Sequence, residues 1–331
     1  MPSVFNNRSA ASLKVAVFCL FAGALLSGRA LALDKKASRA LSHYIMANFY
    51  DDLGQVDKAI REYQRALSAD SDNSLIHLKL ASSYIKNNEL DKAAAQLLLA
   101  VKFNPEAVEP HAILALLYSA QNKPDLASRE YEAALKNASK LAPKNIDIYK
   151  TLGAVYLQQG KIKEARDTYR LILSLSPSDA EAHFYLAVIY DELKDRGRAE
   201  GYLKKALQLR PDYHEALNYL GYLYVEEGRN LEAAEKMISK ALELEPDNGA
   251  YVDSLGWLYF KKGRLKESVK TLNKASALLD DPVIYEHLGE VYFQLGDNKN
   301  AELNWQRSLK LDPGQDKLKK KLETLSREPG K

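Results

Sequence analysis

The sequence predicts an all-α protein, a solenoid of about eight helix hairpins closed at its C-terminal end by a capping helix. Three observations predict it. Tyr50, Tyr84, Tyr118, Tyr156, Tyr190, Tyr224, Tyr259 and Tyr292 recur at intervals of 34, 34, 38, 34, 34, 35 and 33 residues. Three residues before each tyrosine stands a small one (Ala47, Ala81, Ala115, Gly153, Ala187, Gly221, Gly256, Gly289), preceded by Met46 or a leucine. Pro105, Pro143, Pro177, Pro211, Pro246 and Pro313 then close six of the units. A fixed period of this length is the mark of a repeat array rather than of a single closed core.

The elements follow in chain order. Residues 1–32 read as an export signal. A polar start with Arg8 and Lys14 precedes the apolar run 15–26, and Ala30-Leu31-Ala32 offers a small-x-small cleavage site. The run is too short for an ordinary membrane-spanning helix, which needs about 20 residues. The alternative to cleavage is an uncleaved anchor. Phe18, not a small residue, precedes Cys19, which argues against lipidation there. Cys19 is the only cysteine, so a disulfide framework and a Cys-rich zinc module are excluded. Residues 33–39 are expected to form a short linker.

Eight units are expected over 40–73, 74–107, 108–145, 146–179, 180–213, 214–248, 249–281 and 282–315. Each holds two stretches with apolar residues at helical spacing, separated by a turn that usually carries Gly or Asn. Small residues on facing helices let the backbones approach, while Leu and Tyr fill the space around them. Proline cannot continue the second helix, so the chain turns into the next unit. One hairpin cannot bury its apolar face alone, but a stack can. The third unit is four residues longer, about one helical turn, which preserves its buried face. Residues 316–327 carry Leu318, Leu322 and Leu325 as one stripe on a Lys-rich segment and are expected to form the capping helix. Lys319-Lys320-Lys321 is read as its solvated face, and 328–331 as a tail.

The pattern W-x₂-L-G-x₂-Y, A-x₃-F and P at a 34-residue period belongs to the tetratricopeptide repeat, which the chain resembles over roughly residues 40–315. Tyr149-Lys-Thr-Leu-Gly-Ala-Val-Tyr156 is close to ideal. The resemblance implies a right-handed α-solenoid and a non-catalytic role in protein–protein interaction. Segments around Leu220-Gly221, Leu255-Gly256-Trp257 and Leu288-Gly289, with Trp305, look like a run common in exported bacterial repeat proteins. That implies a periplasmic or outer-membrane-associated location. The family's carboxylate-gripping version uses Lys and Asn on successive first helices; here Asn48 is paired with Tyr44 and Lys150 with Ala154, so recognition of that kind is not expected.

Composition excludes other function classes. Arg8, Lys14 and Arg29 account for the net charge of +3, leaving 44 basic against 44 acidic residues, and this balance makes no case for nucleic acid. No nucleophile elbow, phosphate-cradling glycine loop or H-E-x-x-H is present. His43, His77, His111 and His183 share one slot, filled elsewhere by Tyr149, Leu217, Val252 and Tyr285; a slot that accepts all of these is a packing position, not a metal site. His287 is the one histidine expected to face a groove. No cofactor, metal or catalytic residue is expected.

Function is expected on the concave face, lined by the first helix of each unit. In units five to eight the lining positions hold Phe184, Tyr185, Tyr219, Tyr222, Trp257, Phe260 and Phe293. Asp191, Asp253 and Glu290 are among the interleaved acids, against a single base, Lys261. These residues are read as the partner site, centred on Tyr222, Trp257 and Phe260. Rigid aromatics anchor interfaces, and acids favour partners bearing Lys or Arg. The expected partner is an envelope protein, and an exposed groove also leaves room for a second copy of the chain. Aromatics flanked by carboxylates suit sugar rings as well, so a glycan-binding module is the alternative.

Overall fold

The computed structural model describes residues 35–327. They form 17 helices joined by short turns, with no strand among the described residues. The expected export signal, residues 33–34 and the tail lie outside the described residues.

The chain divides into two compact units at Pro143/Lys144. The first contains α1 (Lys35–Asp52), α2 (Val56–Ala69), α3 (Ser74–Lys86), α4 (Leu90–Phe103), α5 (Val108–Ala120) and α6 (Pro124–Leu141). Helix α1 begins inside the stretch read as linker, because Lys35 to Ala40 are helix formers with no breaker among them. Helix α6 has 18 residues where α2 and α4 have 14, so the longer third unit appears as an extra turn on its second helix.

The second compact unit contains α7 (Ile146–Gln158), α8 (Ile162–Leu175), α9 (Ala180–Glu192), α10 (Arg196–Leu209), α11 (His214–Glu226) and α12 (Leu231–Leu244), followed by α13 (Gly249–Lys261), α14 (Leu265–Leu278), α15 (Pro282–Gln294), α16 (Asn298–Leu311) and α17 (Asp316–Arg327). Within it each helix packs on the next. The first helices α11, α13 and α15 also touch one another, which lines them up along one face.

Local chemistry explains the hairpins. The side chains of Asn73, Asn145, Asp179, Asn248 and Asp281 accept backbone N–H groups at the starts of α3, α7, α9, α13 and α15. Those N–H groups have no partner within the helix. Between the two helices of a hairpin the chain passes through a left-handed residue: Gly54, Asn88, Asn122, Gly160, Gly228, Gly263 and Gly296, as expected, and Lys194 in unit five. The small-residue column marks where the helices touch. A Cβ on Gly221 would lie 2.7 Å from Ile238, and one on Gly256 2.7 Å from Leu272.

The histidine slot is internal. His77, His111 and His183 are buried, and each donates Nε2–H to the carbonyl six residues earlier, Ser71 (2.8 Å), Pro105 (3.1 Å) and Pro177 (3.0 Å). Each therefore ties the entry loop to its helix. At the C-terminal end Leu318 of α17 is buried against Ala301 and Trp305, with Leu322 and Leu325 beside it.

Candidate functional site

The lining aromatics of α9, α11, α13 and α15 other than Tyr222 fall into three groups in the second compact unit. In the first group, the half-buried Phe184 ring lies 5.4 Å from Tyr185, 5.2 Å from Tyr213 and 6.1 Å from Tyr219, the last edge-on. Tyr185 stacks on the buried Tyr169 at 4.9 Å. Tyr169 and Tyr213 went unrecognised in the sequence, because neither occupies a lining position on a first helix.

In the second group, Trp257 is sandwiched between Phe260 (4.6 Å) and His287 (4.1 Å), both parallel to it within 9°. The Lys261 ammonium lies 4.8 Å from the indole. Trp257 is only 8% exposed, and Asp253 and His287 are each 5% exposed. His287 is thus buried rather than facing the groove, because Asp253 draws its ring inward: Nδ1 lies 2.9 Å from Asp253 Oδ1.

In the third group, Phe293 is half exposed and lies 5.6 Å from Trp305. A pocket of about 330 Å³ opens here between Glu290, Phe293 and the α17 side chains Lys317, Lys320, Thr324 and Leu325. The lysine run is therefore only partly a solvated face. Lys321 reaches back to Glu290 and sits over the Trp305 ring, because α17 packs with that turn toward α15.

The acids between these groups hold the helices in register. Lys150 of α7 donates to Glu181 of α9 (2.7 Å), and Tyr219 of α11 to Asp191 of α9 (3.0 Å). Trp257 of α13 donates to Glu226 of α11 (2.7 Å), His287 of α15 pairs with Asp253 of α13, and Lys321 of α17 bonds Glu290 of α15. Consecutive first helices from α7 to α15, and then α17, are thus joined by five polar rungs. Each uses a side chain at a lining position. Hydrogen bonds to charged groups are the stronger kind, so the rungs fix the spacing at which the aromatic rings are presented.

Tyr222 has Glu226, Asp253 and Glu286 around it and Arg196 nearby. Burial, and then the three acids, push its phenol well above the ordinary range, so it stays protonated and can donate. Tyr219 behaves likewise, through burial and its bond to Asp191. Asp191 also faces Arg196 at 3.5 Å. The face therefore combines partly exposed rings, held rigidly, with carboxylates, of which Asp191 and Asp253 have both oxygens engaged within the array. Among the described residues no cluster of three or more His, Cys, Asp or Glu is arranged to hold a metal ion. No described helix is long and apolar enough to cross a membrane.

Comparison with known proteins agrees with this architecture. A family model described as Cilia and flagella-associated protein 70 C-terminal domain matches residues 107–324, and a tetratricopeptide repeat model matches residues 52–117. A 91-residue stretch is 36% identical to Type IV pilus assembly protein PilF of Pseudomonas aeruginosa, covering 27% of this chain and 36% of that protein. An 84-residue stretch is 34% identical to Cellulose synthase operon protein C of Pseudomonas fluorescens, covering 25% of this chain and 7% of that protein. The chain thus spans about a third or less of the length of these relatives. Among solved structures, a tetratricopeptide repeat protein from Parabacteroides merdae shares the fold, with a TM-score of 0.58 and 18% identity over 76% of this chain and 98% of that one.

Proposed function

Since this chain belongs to the tetratricopeptide repeat proteins, in the family of the Cilia and flagella-associated protein 70 C-terminal domain, we propose that it is a non-catalytic scaffold of the bacterial cell envelope. It holds a segment of a protein partner against the face formed by α9, α11, α13 and α15. The observation that carries this reading is the row of rings on that face, fixed by inter-helix rungs and edged with acids. Rings ordered before binding lose little entropy on contact, and this favours affinity. The acids select a segment bearing Lys or Arg, chiefly through encounter rate and register. The export signal expected over residues 1–32, and the 91-residue stretch similar to a pilus assembly protein, support the envelope location.

A second reading is a glycan-binding module, favoured by the stretch similar to Cellulose synthase operon protein C and by ring platforms beside carboxylates. One experiment separates the two. Wild type and a Phe184→Ala/Phe293→Ala variant of matched helicity are cross-linked in cells and recovered. The scaffold reading expects one envelope protein recovered with wild type and lost with the variant. Equal recovery with both refutes the aromatic face as the binding surface. If no protein is recovered and purified wild type is retained on polysaccharide or peptidoglycan while the variant is not, the glycan reading replaces it.

A further inference from the structure

Two slots of the first helix record what covers it. The residue in the leucine column and the one three positions later are buried in most later units, Leu255 being half-buried: Leu80 and Ser83, Leu114 and Leu117, Leu186 and Ile189, Leu220 and Leu223, Leu288 and Val291 are all at most 7% exposed. They are covered because the second helix of the preceding hairpin packs there, as α2 does on α3 and α4 on α5. In α1 the same slots hold Met46 and Phe49, 40% and 55% exposed, with no helix ahead of α1 among the described residues. Leu41, Ile45 and Leu53 extend the patch, each more than half exposed. Leu41, Ile45 and Phe49 are spaced four apart, so they form one stripe along α1, which Leu53 continues in the turn just after the helix. Repeat arrays normally end in a cap with a polar outer face. Helix α17 provides one at the C-terminal end, and α1 has the opposite character.

We propose that the α1 stripe is a self-association surface, occupied by α1 of a second copy of this chain in a two-fold, antiparallel pair. The stripe is shaped for a helix, and the charges of α1 choose which helix. Lys35 and Arg39 lie at its start and Asp52 at its end, all exposed. An antiparallel partner that sets Ile45 against its own copy and Leu41 against Phe49 brings Lys35 and Arg39 of each chain toward Asp52 of the other. A parallel pair would oppose like charges. The last hairpin presents no matching bare face for this stripe, because α17 covers it with Leu318 buried against Ala301 and Trp305. A closed two-fold pair satisfies the patch without building a filament. The aromatic face of α9 to α15 takes no part, so this proposal stands or falls separately from the scaffold reading.

Sedimentation velocity on protein purified from expression of the 331-residue chain, from about 0.1 to 100 µM, tests it. The expected result is a reversible monomer–dimer equilibrium. Ile45→Glu/Phe49→Glu should weaken it about 100-fold at unchanged helicity, since two central apolar contacts become buried charges. Asp52→Lys should weaken it, and Lys35→Asp/Arg39→Asp added to Asp52→Lys should restore it. This charge exchange cannot succeed through folding effects alone. A monomer throughout the range, with Phe49→Cys either shielded from a thiol reagent by residues 1–34 or freely reactive, overturns the proposal. So does a dimer indifferent to both variants.

Discussion

Gly289 offers a sharp test of how closely the helices of one hairpin meet. A Cβ built there would lie 2.2 Å from Trp305 Cδ1, 2.3 Å from Nε1 and 2.8 Å from Cγ. These atoms belong to a rigid ring, 2% exposed and packed in one cluster with Ala301 and Leu318, so the indole has little room to swing away. In Gly289→Ala the helix gains about 1 kcal/mol of propensity. Forcing α15 and α16 apart costs about 1–3 kcal/mol or more for overpacking, and further cap contacts where Trp305 shifts. The expected net is a loss of about 1–2 kcal/mol, concentrated in α16 and α17 because stability in such arrays is set by nearest neighbours. Hydrogen exchange on those helices, with tryptophan fluorescence, reads it. Gly201 is the control: it lies in the exposed interior of α10 with nothing within 4 Å of an added Cβ. Gly201→Ala should therefore stabilise by about 0.5–1 kcal/mol. If Gly289→Ala stabilises as well, the close approach of Gly289 to Trp305 is refuted.

Two further outcomes are expected. Lys194 holds a left-handed backbone (φ 62°) at the turn where most other units have glycine; Lys194→Gly should raise stability by about 0.5–1 kcal/mol, seen as a higher denaturation midpoint at an unchanged slope. Glu200 accepts from Lys204 (2.7 Å), Arg229 (2.8 Å) and Tyr224 (2.8 Å), and these partners, Lys204 foremost, hold its carboxyl down to about 2. A carboxyl depressed in the folded state stabilises fully above its unfolded value near 4.5, and the contribution fades as pH falls toward 2. Discounted for solvent screening, it amounts to about 1 kcal/mol. Glu200→Gln should lose that much at pH 7 and match wild type near pH 2; a gap constant from pH 7 to 2 would refute the assignment.

The fold was largely legible because the repeat writes each contact several times over. The small column, the proline stop and the four-residue insertion each reappear as a close helix contact, a helix end and the extra turn of α6. What single residues do within that frame was not legible. The column that holds Trp257 holds Ser82 and Ala154 elsewhere, so it reads as open lining. Only the size of an indole lets it cross to His287 and bond Glu226, which leaves it mostly enclosed. The pairing of Asp253 with His287, 34 residues apart, is likewise invisible to local spacing, as is the stack of Tyr185 on Tyr169 from the preceding hairpin. Lys194 shows the same limit from the other side: the turn demands a conformation, and the chain meets the demand with a residue that does not announce it.

The rungs across the first helices bear on how such a chain can change by duplication or loss. Identical repeats could be copied, deleted or reordered with little harm, as beads on a string. Here the joints differ: a lysine meets Glu181, a tyrosine Asp191, an indole Glu226, an imidazole Asp253 and another lysine Glu290. Each donor has its own reach, so a reordered unit would meet a carboxylate at the wrong distance and leave a polar group stranded. The segment from α7 to α17 is therefore a sentence with fixed word order, and its hairpins are not interchangeable parts.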